Sequence, residues 1–459
     1  MVKEGTVAKS AIWYTASNLL VKGIGFFTVP LFTRLLTQAQ FGEYNNFLSW
    51  LSVMTIVVSA SLESTIVSAK KDYADNFDEY AMSIMCLSVL SAAAWLGAAF
   101  LFTDYFSELF LIDRAYVIGM FLYLLFFPTV TIFQTWERFR YRYHLTVLIS
   151  VLLSVGIAAF SLGFAVLLPN ALDGVILGRI LPAICIGLAV LIYFAIRVKR
   201  VSVEHWKYAL PITLPYIPHL LSMTLLGSMG KILIVRYWGE EANALYSLAF
   251  SCGLIVSIFL TSLNGAFAPW LVDKLNDGNH EMIRKASRPY VGLFSLFAIS
   301  GSLFAPEALY LLGGEEYIEA AAVMPPIALG CVYQFAYCLF VNVEQYEKRT
   351  IGMAVASVSA AVLNWCLGMV LIPRFGYIAA GYATALSYLW LFIVHMLLVK
   401  KMGMLHIYDM RFIGLCMAAC TIAMALVSAL YSATMFRWML AAVLLVVGLI
   451  QGRELRRNW

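Results

Sequence analysis

The chain has 459 residues, of which 62% are hydrophobic and only 12% are charged, with a formal net charge of +5. Soluble globular proteins are about 45–50% apolar and about 25% charged, so this composition excludes one large soluble core and predicts a polytopic membrane protein. The modest positive charge lies in short loops and gives no sign of nucleic-acid binding. The eight cysteines all lie in apolar segments without metal-ligand spacing, which indicates small core side chains.

A membrane-spanning helix needs about 20 mostly apolar residues, and about fourteen such segments follow one another along the chain. In chain order they cover residues 10–36, 43–68, 79–102, 115–135, 144–168, 173–196, 209–235, 243–270, 289–312, 318–343, 350–373, 376–399, 411–431 and 433–452. The apolar run after Lys3 and Lys9 is long and lacks a small-residue cleavage site, so it is predicted to be the first span. The connections are short, and none is large enough for a domain outside the membrane.

The basic residues predict the orientation and the domain organisation. With the N-terminus inside, twenty-three of the 31 lysines and arginines fall on the cytoplasmic side, five on the outer side and three within spans. Because basic residues concentrate in cytoplasmic loops, both termini are expected in the cytoplasm. The longest basic connection, Arg197–Lys207, separates six helices from the next six.

This division predicts an all-α fold with two six-helix lobes around a central site, which would suit a transporter. The N-terminal lobe takes residues 1–200 with helices 1–6, and the C-terminal lobe takes residues 201–400 with helices 7–12. Residues 401–459 add two transmembrane helices and a basic cytoplasmic tail.

Lys22 is the most unusual residue of the stretch Ala11–Leu36, which lies in the first span. At the helical rise it lies roughly 20 Å deep in a hydrocarbon layer about 30 Å thick, so its short stem cannot carry the ammonium group to either surface. A lysine at this depth is expected to face a cavity, and Asn18 lies on the same helical face. The alternative is a lysine buried for packing specificity and paired with a carboxylate.

Four further polar residues are candidates for the lining of a cavity. Arg179 and Lys231 each lie about five to seven residues from the outer end of a span, and snorkelling to the surface is the alternative for both. Glu63 is the main deep carboxylate, with a salt bridge to a lysine of an inner loop as its alternative. Asn264 is an intramembrane amide that could instead hold two helices together.

The motifs of common enzymes are missing from the sequence. There is no G-x-x-x-x-G-K-[ST] phosphate cradle, and the stretch HEMIR lacks the second histidine of a zinc-protease helix. We therefore expect a protein that is not an enzyme and that holds no cofactor and no metal.

Four stretches together resemble one family of transporters. LFTRLLTQAQFGEYN follows the first helix, YALPITLPYIPHLLS opens the seventh, and LLGGEEYIEAAAVMPPIALG and LIPRFGYIAAGYATALSYL lie in later helices. In this order they are similar to the Wzx-type polysaccharide flippases of the multidrug/oligosaccharidyl-lipid/polysaccharide (MOP) exporter superfamily. The resemblance covers roughly residues 8–400.

The resemblance implies two lobes that form a V around a cavity opening alternately to the two sides of the membrane. A polyprenyl-diphosphate-linked oligosaccharide would enter from the cytoplasm, with its anionic head group attracted by cations such as Lys22. The sequence departs from the family at Gly230-Lys231, where an Asp-Arg pair is common, so a role for an ion pair there is not carried over. Fourteen spans rather than twelve leave room for the lipid II flippase branch.

The function implied is therefore the flipping of lipid-linked oligosaccharide from the cytoplasmic to the outer leaflet for surface polysaccharide biosynthesis, such as that of O-antigen. The alternatives are a lipid II flippase and a cation-coupled multidrug antiporter of the same superfamily. We expect a monomer in the bacterial cytoplasmic (inner) membrane, with the lipid-linked glycan as substrate, a polymerase or glycosyltransferase as a possible protein partner and no nucleic acid. The sequence leaves the energy source open between protons, sodium and membrane potential.

Overall fold

A computed structural model describes residues 4–140, 142–198 and 200–458, and these residues form helices and turns with no β-strand among them. The all-α polytopic fold is thus confirmed. The chain separates into two compact units, an N-terminal unit Met1–Thr224 and a C-terminal unit Leu225–Trp459. The predicted three-part division at residues 200 and 400 stays a prediction.

The N-terminal unit is built from nine helices in its described residues. They are α1 Glu4–Leu35, α2 Gln38–Ser59, α3 Ile66–Asp72, α4 Phe77–Leu101, α5 Thr103–Phe110, α6 Arg114–Phe139, α7 Tyr143–Leu167, α8 Ala171–Arg197 and α9 Val203–Thr213. Helix α2 begins with a reciprocal capping box, in which the Thr37 side chain accepts from the backbone of Gln40 and the Gln40 side chain accepts from the backbone of Thr37. Helices α7 and α8 pack closely because Gly174 and Gly178 bring the two backbones together.

The second predicted span is broken rather than straight. Ala60 and Ser61 adopt left-handed conformations, with φ of 47° and 50°, and a 3₁₀ turn at Leu62–Thr65 follows. The helical segments on either side of the break are bent by 52°. The residues concerned are neither glycine nor proline, so their sequence gives no signal for the break.

The basic connection Arg197–Lys207 leads into helix α9, which packs against the N-terminal unit. Ser202 caps the helix by accepting a hydrogen bond from the backbone N–H of Glu204. The His205 ring lies 3.0 Å from the Ser83 hydroxyl, and the Trp206 indole donates to the Ser83 carbonyl at 2.7 Å. These contacts explain why the first compact unit continues beyond the sixth span.

The C-terminal unit contains the remaining helices of the described chain. They are α10 Ile217–Asn276, which begins before the unit boundary, α11 His280–Leu303, α12 Ala305–Gly313, α13 Met324–Tyr346, α14 Thr350–Phe375, α15 Ile378–Lys401, α16 Met410–Val427 and α17 Thr434–Asn458. A helix as long as α10 would extend about 90 Å, which is three times the thickness of a bilayer core. It is divided at Gly239, whose φ of 83° and ψ of −177° are not helical.

The same backbone geometry recurs at two other junctions of the C-terminal unit. Gly314, between α12 and the 3₁₀ helix Glu315–Val323, has φ 84° and ψ −167°. Gly376, between α14 and α15, has φ 76° and ψ −170°. This region of conformational space is essentially accessible only to glycine, so each junction needs this residue type.

The last two helices are integral parts of the C-terminal unit, since α16 packs on α11 and α13 and α17 packs on α11. Arg437 at the start of α17 makes two hydrogen bonds of 2.8 Å to the carboxylate of Glu307 on α12 and also donates to the carbonyl of Leu303. The Arg437 side chain is only 2% exposed, so this ion pair joins α17 to α12 inside the C-terminal unit.

Ten helices among the described residues are long and apolar enough to cross a membrane, and twelve if each bent pair counts as one span. The 60-residue helix α10 counts once in these figures although Gly239 divides it. The number of about fourteen spans therefore stays a prediction, as does the V-shaped cavity between lobes.

Candidate functional site

Lys22 lies on an open face of helix α1. Its side chain is exposed, and so is the position of Gly25 one turn later. Among the described residues the ammonium group has no hydrogen-bond or ion-pair partner, so the alternative of a packed lysine–carboxylate pair is not seen in them. The side chain of Asn18, predicted to share this face, lies outside the described residues. A cation at this depth needs water or an anion near it.

Arg179 points into the N-terminal unit instead of towards the end of its helix. The α8 guanidinium is hydrogen bonded to the phenol of Tyr44 on α2 and lies close to Tyr123 on α6. Its Nε atom is buried without a hydrogen-bond partner in the described chain. Snorkelling is thus not the arrangement found, and the guanidinium keeps a free donor inside the helix bundle. No described contact joins Arg179 to Lys22.

Lys231 lies beside a small cavity inside the C-terminal unit. Its ammonium group sits 4.9 Å from the centre of the Phe250 ring, a cation–π distance. The ring belongs to the wall of a cavity of about 120 Å³. Polar groups of this wall are Tyr246, Ser257, Gln334, Thr384 and Tyr388. Aromatic faces combined with hydroxyl and amide groups can bind a polar ligand and fix its orientation.

Glu63 and Asn264 have different surroundings. Glu63 belongs to the 3₁₀ turn that follows the break in the second span, and its Oε2 atom is buried without a hydrogen-bond partner among the described residues. The predicted alternative, a salt bridge to an inner-loop lysine, is not formed in this part of the chain. Asn264 accepts a hydrogen bond of 2.9 Å from Asn342 and so links two helices. This bond favours the packing alternative for Asn264.

A buried histidine–carboxylate contact in the C-terminal unit was not predicted from the sequence. His395 on α15 and Glu344 on α13 approach to 2.7 Å, with side chains 3% and 0% exposed. A signal was present, because an ionisable residue inside an apolar helix is a functional candidate by default. The pairing itself joins residues 51 positions apart and could not be read from spacing.

The end of the N-terminal unit that is predicted to be cytoplasmic carries a wide groove of about 550 Å³. Asp78 in its wall forms ion pairs with Arg140 at 2.7 Å and with Arg197 at 3.6 Å. These charges compensate one another at an open surface. The groove is therefore less suited to hold an anion than the surroundings of Lys22, Arg179 and Lys231, which have no carboxylate partner in the described chain. No group of three or more metal-ligating side chains occurs among the residues described.

Comparisons with known proteins agree with the predicted resemblance. The model of the family described as "Polysaccharide biosynthesis protein" matches residues 7–274, more than half of the chain. A curated relative, a protein of the Lsg locus of Haemophilus influenzae, is 24% identical over 285 residues, covering 59% of this chain and 67% of the relative.

Two solved structures show the fold that this chain adopts. The lipid II flippase MurJ in an inward closed conformation matches with a TM-score of 0.73 and 11% identity, covering 97% of this chain and 99% of MurJ. An inward-facing multidrug resistance transporter of the MATE family, a member of the MOP superfamily, matches with a TM-score of 0.60 and 14% identity, covering 83% and 94%. With the family match and this likeness together, the chain belongs to the polysaccharide biosynthesis protein family and has the fold of MOP-superfamily transporters.

Proposed function

We propose that this protein is a flippase that moves a polyprenyl-diphosphate-linked oligosaccharide from the cytoplasmic to the outer leaflet by alternating access. The family description places it in polysaccharide biosynthesis, and the fold is one that serves membrane transport in other proteins. A glycan assembled on a lipid carrier in the cytoplasm must cross the membrane before it reaches the cell surface. This step needs a path for a charged, hydrated head group through hydrocarbon.

The observation that carries the proposal is the set of three intramembrane cations without carboxylate partners in the described chain. Lys22 lies on an open face of its helix. Arg179 lies beside two phenols, and Lys231 lies beside an aromatic ring. An uncompensated cation in a low-dielectric interior is costly, so it is retained where an anion visits. A diphosphate is such an anion, and both lysine and arginine bind it.

A lipid II flippase is the second candidate. The likeness to MurJ extends over 97% of this chain, so most of the last two helices falls within it. Both candidate substrates carry a polyprenyl diphosphate, so the cations serve either one. The assignment between them depends on the glycan that the cavity accepts.

A multidrug antiporter is the weaker alternative. Exporters of cationic compounds are expected to line their cavities with acids, because a cation is stabilised by nearby negative charge. Here Glu307 is bound to Arg437 and Glu344 to His395, and Glu63 is the remaining deep carboxylate named above.

The proposed location is the bacterial cytoplasmic membrane, with both termini inside, as the distribution of basic residues predicts. We also propose that the protein acts as a monomer on its lipid-linked substrate. A polymerase or glycosyltransferase of the same pathway would be its protein partner.

The test is transport in vesicles that contain the purified protein. The probe is a fluorescent polyprenyl-diphosphate N-acetylglucosamine, whose transfer between leaflets is measured by quenching from outside. Lys22→Ala should lose transport while Lys22→Arg restores part of it, since arginine keeps the charge. Arg34→Ala, which removes an exposed cation in the last turn of the same helix, is the matched control and should transport normally.

Two parallel arms separate the alternatives. Vesicles with lipid II as probe test the second candidate, and vesicles with a cationic dye test the antiporter. Faster movement of the dye than of either diphosphate lipid would refute the flippase. Full transport by Lys22→Ala would remove Lys22 from the mechanism.

A further inference from the structure

The buried pair of Glu344 and His395 is the feature of the C-terminal unit that the proposed function does not use. The Nδ1 atom of His395 lies 2.7 Å from Oε1 of Glu344, and the two side chains are 3% and 0% exposed. The second oxygen, Oε2, is buried and has no hydrogen-bond partner among the described residues. In the same part of the chain neither residue forms a second ion pair.

The pair lies near the helix ends that the basic residues assign to the cytoplasm. Glu344 is two residues before the end of α13 at Tyr346, and His395 is six residues before the end of α15 at Lys401. At 1.5 Å per residue both are within about 10 Å of these ends. A proton from the cytoplasmic side therefore has a short distance to travel.

Aromatic and amide side chains connect the pair with the cavity beside Lys231. The His395 ring stacks on Tyr337, with centroids 5.5 Å apart and planes 18° apart. Tyr337 is hydrogen bonded to Gln334 and stacks on Tyr388 at 6.2 Å. Gln334 and Tyr388 both line the cavity, so contacts run without a break over about 15 Å of helix α13.

The elements packed around the pair carry both uncharged and charged titratable groups. The phenols and thiols are those of Tyr337 and Cys338 on α13, Tyr388 on α15, Tyr290 on α11 and Tyr408 before α16. The charged groups include Lys400 and Lys401 on α15, Arg284, Lys285 and Arg288 on α11, Arg411 on α16 and the imidazole of His406 before it, and among the described residues none of them forms an ion pair with Glu344 or His395. Phenols and thiols are ordinarily uncharged near neutral pH. A neutral histidine beside a carboxylate carries one negative charge, and one bound proton brings the pair to zero.

We infer that Glu344 and His395 form a proton-binding site that couples the proposed transport to a proton gradient. The Nδ1 atom of His395 and the Oε1 atom of Glu344, 2.7 Å apart, can share one proton, and the buried Oε2 atom keeps a free acceptor. One proton enters and one leaves in each cycle, and no bond other than N–H or O–H is made or broken. The inference rests on the proposed function for the coupling and on geometry alone for the proton site.

The first experiment measures proton binding without any substrate. Infrared difference spectra of the protein in lipid nanodiscs are recorded between alkaline and acidic buffer. We expect a pH-dependent carboxyl or imidazolium band that disappears in Glu344→Gln. Glu347→Gln removes an exposed glutamate at the end of the same helix and should keep the band. Identical difference spectra for the wild type and Glu344→Gln would overturn the proton site.

The second experiment measures coupling in vesicles with the polyprenyl-diphosphate N-acetylglucosamine probe. A pH gradient should accelerate transfer by the wild type and by Glu347→Gln by at least about fivefold, the lower end of ordinary coupling between two sites. Glu344→Gln should lose this acceleration. His395→Gln, which keeps the carboxylate of Glu344, should also lose the acceleration by the pH gradient. This variant replaces Glu344→Gln in the experiment if Glu344→Gln does not fold.

The two experiments separate the inference from the proposed function. Transfer by the wild type at the same rate with and without the gradient would overturn the coupling and leave the flippase intact. If the wild type moves no probe under any condition, the proposed function fails, and the infrared spectra still decide whether the pair binds a proton.

Discussion

Replacing Gly178 by alanine should destabilise the N-terminal unit, because the new methyl group has no space. A Cβ atom at this position would lie 2.2 Å from the backbone nitrogen of Ser161 and 2.3 Å from its Cα atom. Carbon atoms in ordinary contact are about 3.5–4.0 Å apart, so α7 and α8 would have to separate by more than about 1 Å. Backbone atoms cannot rotate away from the contact as a flexible side chain would.

Overpacking of this kind costs about 1–3 kcal/mol, and the better helix propensity of alanine returns up to about 1 kcal/mol. We therefore expect Gly178→Ala to lower the free energy of unfolding by about 1–2 kcal/mol. The assay is thermal unfolding of the purified protein in detergent micelles, followed by intrinsic tryptophan fluorescence.

The matched control is Gly163→Ala on helix α7, where an added Cβ atom would meet nothing within 4 Å. This variant gains helix propensity without a clash, so its stability should be unchanged or higher by about 0.5–1 kcal/mol. Equal unfolding temperatures for the two alanine variants would refute the close approach of α7 and α8.

Two further predictions concern stability. Arg437→Met should lower the free energy of unfolding by about 1–3 kcal/mol, which is less than for a fully buried pair because the Glu307 side chain is 36% exposed. Arg437→Lys should show only part of the stability of the wild type in thermal unfolding, since lysine cannot make both hydrogen bonds to the carboxylate. A lysine variant as stable as the wild type would contradict the bidentate geometry. Burial lowers the pKa of His205 from its ordinary value of 6.5. The unfolded chain therefore binds a proton at this residue more readily than the folded chain, and the free energy of unfolding should fall as the pH drops below about 6.5. His205→Gln should flatten this part of a melting-temperature profile against pH, and a profile that keeps its slope would rule out His205 as the cause.

The helices and the intramembrane cations could be predicted from the sequence because both depend on local chemistry. An apolar run of about 20 residues needs no partner to be recognised, and a lysine within it is visible as an exception. Lys22 and Lys231 were identified in this way as candidates for a cavity lining, which stays a prediction. Lys22 lies on an open face of its helix, and Lys231 lies beside the Phe250 ring. The resemblance to polysaccharide flippases was confirmed at the level of the family.

Features that depend on tertiary contacts were out of reach. The break at Ala60 and Ser61 puts ordinary residues in left-handed conformations that only the surrounding packing can impose. The sequence left open whether Arg179 lines a cavity or snorkels to the surface. Its direction depends on the phenols of Tyr44 and Tyr123, which lie on two other helices. The Glu344–His395 pair needed α13 and α15 to be placed side by side.

The three glycine junctions of the C-terminal unit limit how that unit can move. Gly239, Gly314 and Gly376 lie in connections of one or two residues between consecutive helical segments, at ends that the basic residues assign to the outer side. Because consecutive Cα atoms are about 3.8 Å apart, a connection this short keeps the two joined helix ends close together. Under the proposed function, we expect the helices joined at these junctions to move together, with the longer connections at their opposite ends absorbing the displacement.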